Sequence, residues 1–320
     1  MGDRRGDGLG SVKKLFASER GQFLERYTSP HTHPGGSISR TTVQKLRVLG
    51  TFVARRLLLG RGRYQALARL RELAGYLSGR EILVIGSGPS AEKLNLREVR
   101  KRQSTGELVV IATNYFLHSP LARTVTPDYL VWADTAFDPS NSRNSSPEWK
   151  VLQSYERLSV VVPWTWRSYI DSTPMAARTI YFDNDSLEGW SGNISPLKPR
   201  GYQGSTGVKA LAIALHFGSE KVAVIGLDLS NFRALSVNAA NEVFRGPAHL
   251  EGTDSGVQNI THESVRGLAD ALYSAASQFL VLHTHFDRER ITNLDPNSLV
   301  DAFPKARHHP LVKRGFAART

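Results

Sequence analysis

Short, unbroken apolar runs set the strongest limit on how this chain folds. Glu81–Ile85 (EILVI), Leu108–Ala112 (LVVIA), Tyr129–Ala133 (YLVWA), Ser159–Val162, Lys221–Ile225 (KVAVI) and Phe279–Leu282 stand out from their surroundings. Such runs lack the in/out alternation of a half-solvated strand. They suit strands covered on both faces, as in parallel sheets. Between them lie stretches with helical spacing: Ala91–Arg102, Gly207–Phe217 and Glu263–Ala276. The alternation predicts an α/β body with a mostly parallel sheet and helices on both faces. We assign that body to residues 81–320.

The first 80 residues have a different texture. They hold 16 Lys and Arg against 5 Asp and Glu, which is +11 of the chain's net charge of +12. Residues 1–40 read as a largely irregular basic arm with a short helix at Ser11–Tyr27. His31 and His33 lie there between prolines with no third ligand close by, and read as plain loop. Residues 41–80 read as basic amphipathic helices. Val43, Leu46, Leu49, Val53 and Leu57 recur at helical spacing behind Thr41 or Thr42 as N-cap. Gly60 and Gly62 are expected to break the pattern before a second helix over Tyr64–Leu77. Such a segment can lie on an anionic bilayer, bind nucleic acid or pack its apolar stripe on the body. The sequence has no cysteine, which excludes disulfides, thiolate metal sites and thiol nucleophiles. It has no apolar run of membrane-spanning length, and Met1–Gly10 lack the apolar core of a secretory signal. We therefore expect a cytoplasmic protein, peripheral at most to the inner membrane face.

Four motifs can carry chemistry. Ile85-Gly86-Ser87-Gly88-Pro89-Ser90 reads as strand, glycine turn and helix start. Glycines allow close backbone approach, Pro89 suits a first helical position, and free amides at a helix start favour an anion. The turn is not a full dinucleotide fingerprint, because Ala91 holds the third glycine position, and it lacks a P-loop lysine. Gly204-Ser205-Thr206-Gly207 heads the apolar helix that follows, with Ser205 or Thr206 as cap or ligand contact. Ile225-Gly226-Leu227-Asp228 places a carboxylate after a buried strand, where it can meet a ribose hydroxyl or a metal, or cap a loop. Thr261-His262-Glu263-Ser264 offers an imidazole at a helix start for general-base work.

These four blocks, with Thr113-Asn114-Tyr115-Phe116 and the later Thr292–Ser298, resemble bacterial sialyltransferases of glycosyltransferase family 42. They also resemble the related 6-hydroxymethylpterin diphosphokinase (MptE-like) superfamily. The likeness covers about residues 81–304. It implies one Rossmann-like domain that binds a CMP-sugar without a metal or bound cofactor. Gly86, Ser87, Gly88, Pro89 and Ser90 would cradle the nucleotide phosphate. Asn114, Ser205, Thr206, Gly207 and Asp228 would contact the donor, and His262 would be the catalytic base. The chain departs from the family pattern in places. Ser230, Asn231 and Phe232 follow the Gly-x-Asp strand where tyrosines steady the leaving phosphate, with no tyrosine before Tyr273. Ser87 replaces an asparagine, and only Arg200 is placed to supply the arginine ahead of Ser205.

The implied activity is inverting transfer of a nonulosonate, sialic acid or a Kdo-like acid, from a CMP-sugar to a surface glycan. An ATP- and Mg²⁺-dependent diphosphokinase, with Asp228 or Asp134 as metal ligand, is one alternative. A non-enzymatic nucleotide- or nucleic-acid-binding module is another.

Overall fold

The computed structural model describes residues 38–140, 146–185, 193–200, 204–228, 235–237, 239, 243–245, 258–260, 278–306 and 308–313. The expected helices at Ser11–Tyr27 and Glu263–Ala276, and His31, His33 and His262, lie outside them.

Seven strands form one parallel sheet: β1 (Glu81–Ile85), β2 (Leu108–Thr113), β3 (Tyr129–Val131), β4 (Ser159–Pro163), β5 (Thr179–Phe182), β6 (Lys221–Ile225) and β10 (Ile291–Asn293). Their order is β10-β6-β1-β2-β3-β4-β5, every pair parallel. A separate antiparallel sheet of β7 (Leu235–Val237), β8 (Val243–Arg245) and β9 (Gln258–Ile260) is inserted between β6 and β10 in the chain. This is the expected α/β, Rossmann-like arrangement.

The two-sided burial inferred from the apolar runs is visible residue by residue. Leu83 and Ile85, Val110 and Ala112, and Val160 and Val162 enter one core, against Val99 and Leu152. Ile82 and Val84, Val109 and Ile111, and Val222 and Val224 enter the other, against Val208, Leu211 and Phe217. Alternate side chains of a strand point to opposite faces, so a strand apolar throughout feeds two cores at once. Helix α3 (Leu96–Ser104) lies on the first face and α6 (Thr206–His216) on the second.

Three local expectations are corrected. Phe279–Leu282 is not a strand; residues 278–285 are helical. Gln278, Val281, Leu282 and Phe286 are buried while Leu280 is exposed, which is helical spacing rather than the even burial of an inner strand. Ala91–Arg102 is not one helix but a 3-10 turn (Pro89–Lys93) followed by α3. Gly60 and Gly62 do not end the first helix, since α1 runs unbroken from Ile38 to Ala66. Tertiary anchoring outweighs their cost of about 1 kcal/mol each.

Those anchors are ionic. Arg56 Nη2 donates to Asp183 Oδ2 at 2.7 Å and lies 3.0 Å from Asp185 Oδ2. Arg63 reaches the same Asp183 oxygen through Nε (2.9 Å) and Nη2 (2.6 Å), and donates to the Leu197 carbonyl. Arg69, in the short helix α2 (Ala68–Glu72), donates to the Ala177 carbonyl in the 3-10 turn that precedes β5. Arg56, Arg63 and Arg69 therefore hold the N-terminal segment on the body. Among the described residues no helix is long and apolar enough to cross a membrane.

Candidate functional site

The strand order reverses between β1 and β6: the chain leaves β1 toward β2 and β5, then returns to β1's other side as β6. In open α/β sheets, ligands bind in the crevice outside the strands' carboxyl ends at such a switch point. The two glycine motifs of the sequence sit there, one after each strand.

The glycines are required by the contact between these loops. A Cβ on Gly86 would stand 2.4 Å from the Gly226 carbonyl oxygen, and one on Gly226 would stand 2.4 Å from that of Gly86. Gly226 also has φ of +74°, a left-handed conformation that side chains resist. Gly86 N donates a hydrogen bond to the Ile225 carbonyl and Gly88 N to the Gly226 carbonyl, both at 2.8 Å. Ser90 completes the brace. Its hydroxyl accepts from Gly226 N at 2.9 Å and donates to Asp228 Oδ1, while its amide donates to Asp228 Oδ2 at 3.0 Å. Asp228 thus caps the 3-10 turn that follows Gly88. A Cβ on Gly88 would stand 2.4 Å from the same carboxylate. With Ser90 engaged, the loop's open donors are at Ser87, half-buried and without a hydrogen-bond partner among the described residues.

Two neighbouring segments close on this brace. Gly207 lies against Leu227, whose Cδ1 would be 2.8 Å from an added Cβ. That contact sets the start of α6 beside the β6 loop. Ser205 is the N-cap in extended conformation but makes no side-chain capping bond. Its amide donates to Gln278 Oε1 at 3.2 Å, and its Oγ is buried with no partner. On the other side, Thr113 Oγ1 donates to the Ile85 carbonyl, tying β2's end to β1's. The next residue, Asn114, has φ of +51°. Its carbonyl accepts from Trp132 Nε1 at 2.8 Å, yet its Oδ1 is buried and unpartnered. An unpaired buried acceptor costs about 1–3 kcal/mol, and backbone strain of this kind clusters at ligand sites.

The fold thus brings together Gly86, Ser87, Gly88, Pro89, Ser90, Asn114, Ser205, Thr206, Gly207 and Asp228, all at the carboxyl edge around β1 and β6. Asp134 is also at this edge, after β3, exposed and accepting from Ala136 N. His262 stands two residues beyond β9 in the chain.

Several participants gave little or no sequence signal. Gly226 is as sterically constrained as Gly86, and only its place in Gly-x-Asp could have marked it. Trp132 and Gln278 hold Asn114 and Ser205 from far away in sequence. Lys209, within an apolar helix, is buried with 8% of its surface exposed, and its amide donates to the Ser205 carbonyl. A buried cation in the first turn of a helix is a departure from the apolar pattern that the sequence does display.

No family model matches the chain, and no curated protein does. Among solved structures it is similar to the MAf glycosyltransferase from Magnetospirillum magneticum AMB-1. That likeness has a TM-score of 0.41 at 12% identity, over 96% of this chain and 47% of that one. The chain spans about half the length of the structure it matches.

Proposed function

We propose that the protein is an inverting glycosyltransferase that uses a CMP-linked nonulosonate, sialic acid or a Kdo-like acid, as donor. The observation that carries the reading is the strand-order switch point between β1 and β6. Two glycine loops are braced there by Ser90 and Asp228, beside two buried polar atoms left without partners, Asn114 Oδ1 and Ser205 Oγ. A nucleotide in this crevice would satisfy those atoms, and its phosphate would meet the open donors of Ser87. The motif resemblance supplies the sugar class and the base.

In the proposed step, His262 accepts the proton of the acceptor hydroxyl as that oxygen attacks the anomeric carbon. The bond from this carbon to the phosphate oxygen breaks, and CMP departs with the electron pair. Oriented amides of the Ser87 loop are suited to the charge that grows on the leaving phosphate. No step calls for a metal. The acceptor is a surface glycan under assembly, and the basic segment 41–80 would keep the enzyme at an anionic membrane face where such glycans are built.

The test is turnover of CMP-nonulosonate by the full chain in the presence of chelator. Activity should persist in chelator. His262→Ala should abolish transfer and leave CMP affinity within a factor of about two. Wild-type turnover in that variant would overturn His262 as base. Loss of activity in chelator, with transfer of diphosphate from ATP when Mg²⁺ is restored, would replace the reading with the diphosphokinase.

A further inference from the structure

Helix α1 carries two opposed stripes. The inner one is Phe52, Arg56, Leu59, Arg63 and Ala66. Arg56 lies 5.0 Å over the Phe52 ring, Leu59 packs on the core, Ala66 is buried, and Arg56 and Arg63 are bound to Asp183. The outer one is Gly50, Val53, Leu57, Arg61 and Tyr64, all exposed. Val53, Leu57 and Tyr64 expose 46%, 81% and 64% of their surfaces, half of the six large hydrophobics exposed among the described residues. The inner stripe explains what holds the helix to the body; among the described residues nothing covers the outer one.

Charge indicates what does. From Ile38 to Ala66 the helix has seven Lys and Arg and no Asp or Glu. Asp183 and Asp185 offset two of those charges, so the helix remains strongly cationic beside its own apolar stripe. An exposed apolar row with a tyrosine, on a helix with no acidic residue, suits the boundary layer of an anionic bilayer. Two such helices facing each other would repel, and a nucleic acid would leave the apolar row uncovered. The position is also apt. Asp183 follows the last residue of β5, so α1 meets the body at the carboxyl edge that holds the crevice. About 27 Å of helix precedes Arg56.

We infer that the Val53–Leu57–Tyr64 face of α1 docks on an anionic lipid bilayer and presents the carboxyl edge of the sheet to that membrane. This rests on the proposed function for its purpose, a membrane-borne acceptor, but its test needs no turnover.

The full chain is sedimented with vesicles of phosphatidylcholine alone and with an equimolar mixture of phosphatidylcholine and phosphatidylglycerol. We expect binding to the anionic vesicles only, weakened at least about tenfold by Leu57→Glu and several-fold by Leu57→Gln. Both variants change an exposed side chain, and unaltered melting and CMP affinity would show that the body is intact. Three results would overturn the inference: no binding to anionic vesicles, equal binding by the Leu57 variants, or a concentration-dependent dimer that Leu57→Glu dissolves. Salt-sensitive RNA binding without vesicle binding would also overturn it. CMP affinity in the same samples separates failure of the docking face from failure of the proposed reaction.

Discussion

The two ends of the sheet's carboxyl edge solve opposite problems. At β5, charge is gathered and neutralised within the protein. Asp183 is fully buried as a side chain and accepts from two guanidinium groups, and its other oxygen accepts from Asp185 N. Around β1 and β6 the chain removes side chains instead. Gly86, Gly88 and Gly226 let backbone meet backbone, Gly207 makes room for the Leu227 side chain, and Asn114 Oδ1 and Ser205 Oγ are left unpaired. The first end fastens a helix to the body. The second packs the β1 and β6 loops on each other, and the proposed nucleotide site rests on that brace.

This contrast is open to direct attack. The largest effect is expected at the ionic end. Asp183→Ala would leave Arg63 without its carboxylate and Arg56 with Asp185 alone, and should cost about 3 kcal/mol in denaturant unfolding. A loss below about 1 kcal/mol would mean the clamp is solvated and not structural. Next comes the brace. Gly226→Ala adds a Cβ against the Gly86 carbonyl at a positive φ, and should cost about 2 kcal/mol or more of stability. An unchanged melting transition would show that the two loops do not need their close approach.

Asn114→Gly separates strain from ligand contact. Glycine accepts φ of +51° freely, so stability should hold or rise, while affinity for CMP should fall about tenfold, or 1.4 kcal/mol. Undiminished affinity would make Asn114 a turn residue only. The smallest effect concerns pH. Burial holds the His216 imidazole below its ordinary 6.5, with Nε2 on the Leu70 carbonyl. A depressed folded value means that its contribution is present above about pH 6.5 and is lost as the pH falls through the folded value. His216→Gln should flatten the loss of stability between pH 7 and pH 5. Burial lowers His309 in the same direction, so a residual slope should remain. An unaltered slope in His216→Gln would contradict the assignment.

The difference between the two ends also governs what could be read in the sequence. β1, β2, β4 and β6 are legible because burial on both faces writes an unbroken apolar run, and the glycine motifs are legible because steric demand is local. β10 is three residues long with Thr292 half-buried in its middle, and gives no such run. Phe279–Leu282 gives the run without the strand, since a short apolar segment does not distinguish a buried helix from a buried strand. The clamp was illegible for a different reason. Arg56 and Asp183 are 127 residues apart, so the arginines of a basic amphipathic helix become an internal fastening only once β5 is in place. Asn114 and Ser205 stood out by motif; that their side-chain oxygens are unpaired is a property of packing alone.

The central claim is that the crevice between β1 and β6 receives a nucleotide. It is tested most directly by calorimetric titration of the full chain with CMP, ATP and UDP, repeated on Gly88→Val. Valine there would press on Asp228 and the Gly226 carbonyl, at the wall of the crevice. The account predicts saturable binding that favours CMP over ATP and UDP and is lost in a Gly88→Val protein that still melts cooperatively. Absence of binding by any of the three, or the same CMP affinity in wild type and variant, would contradict it.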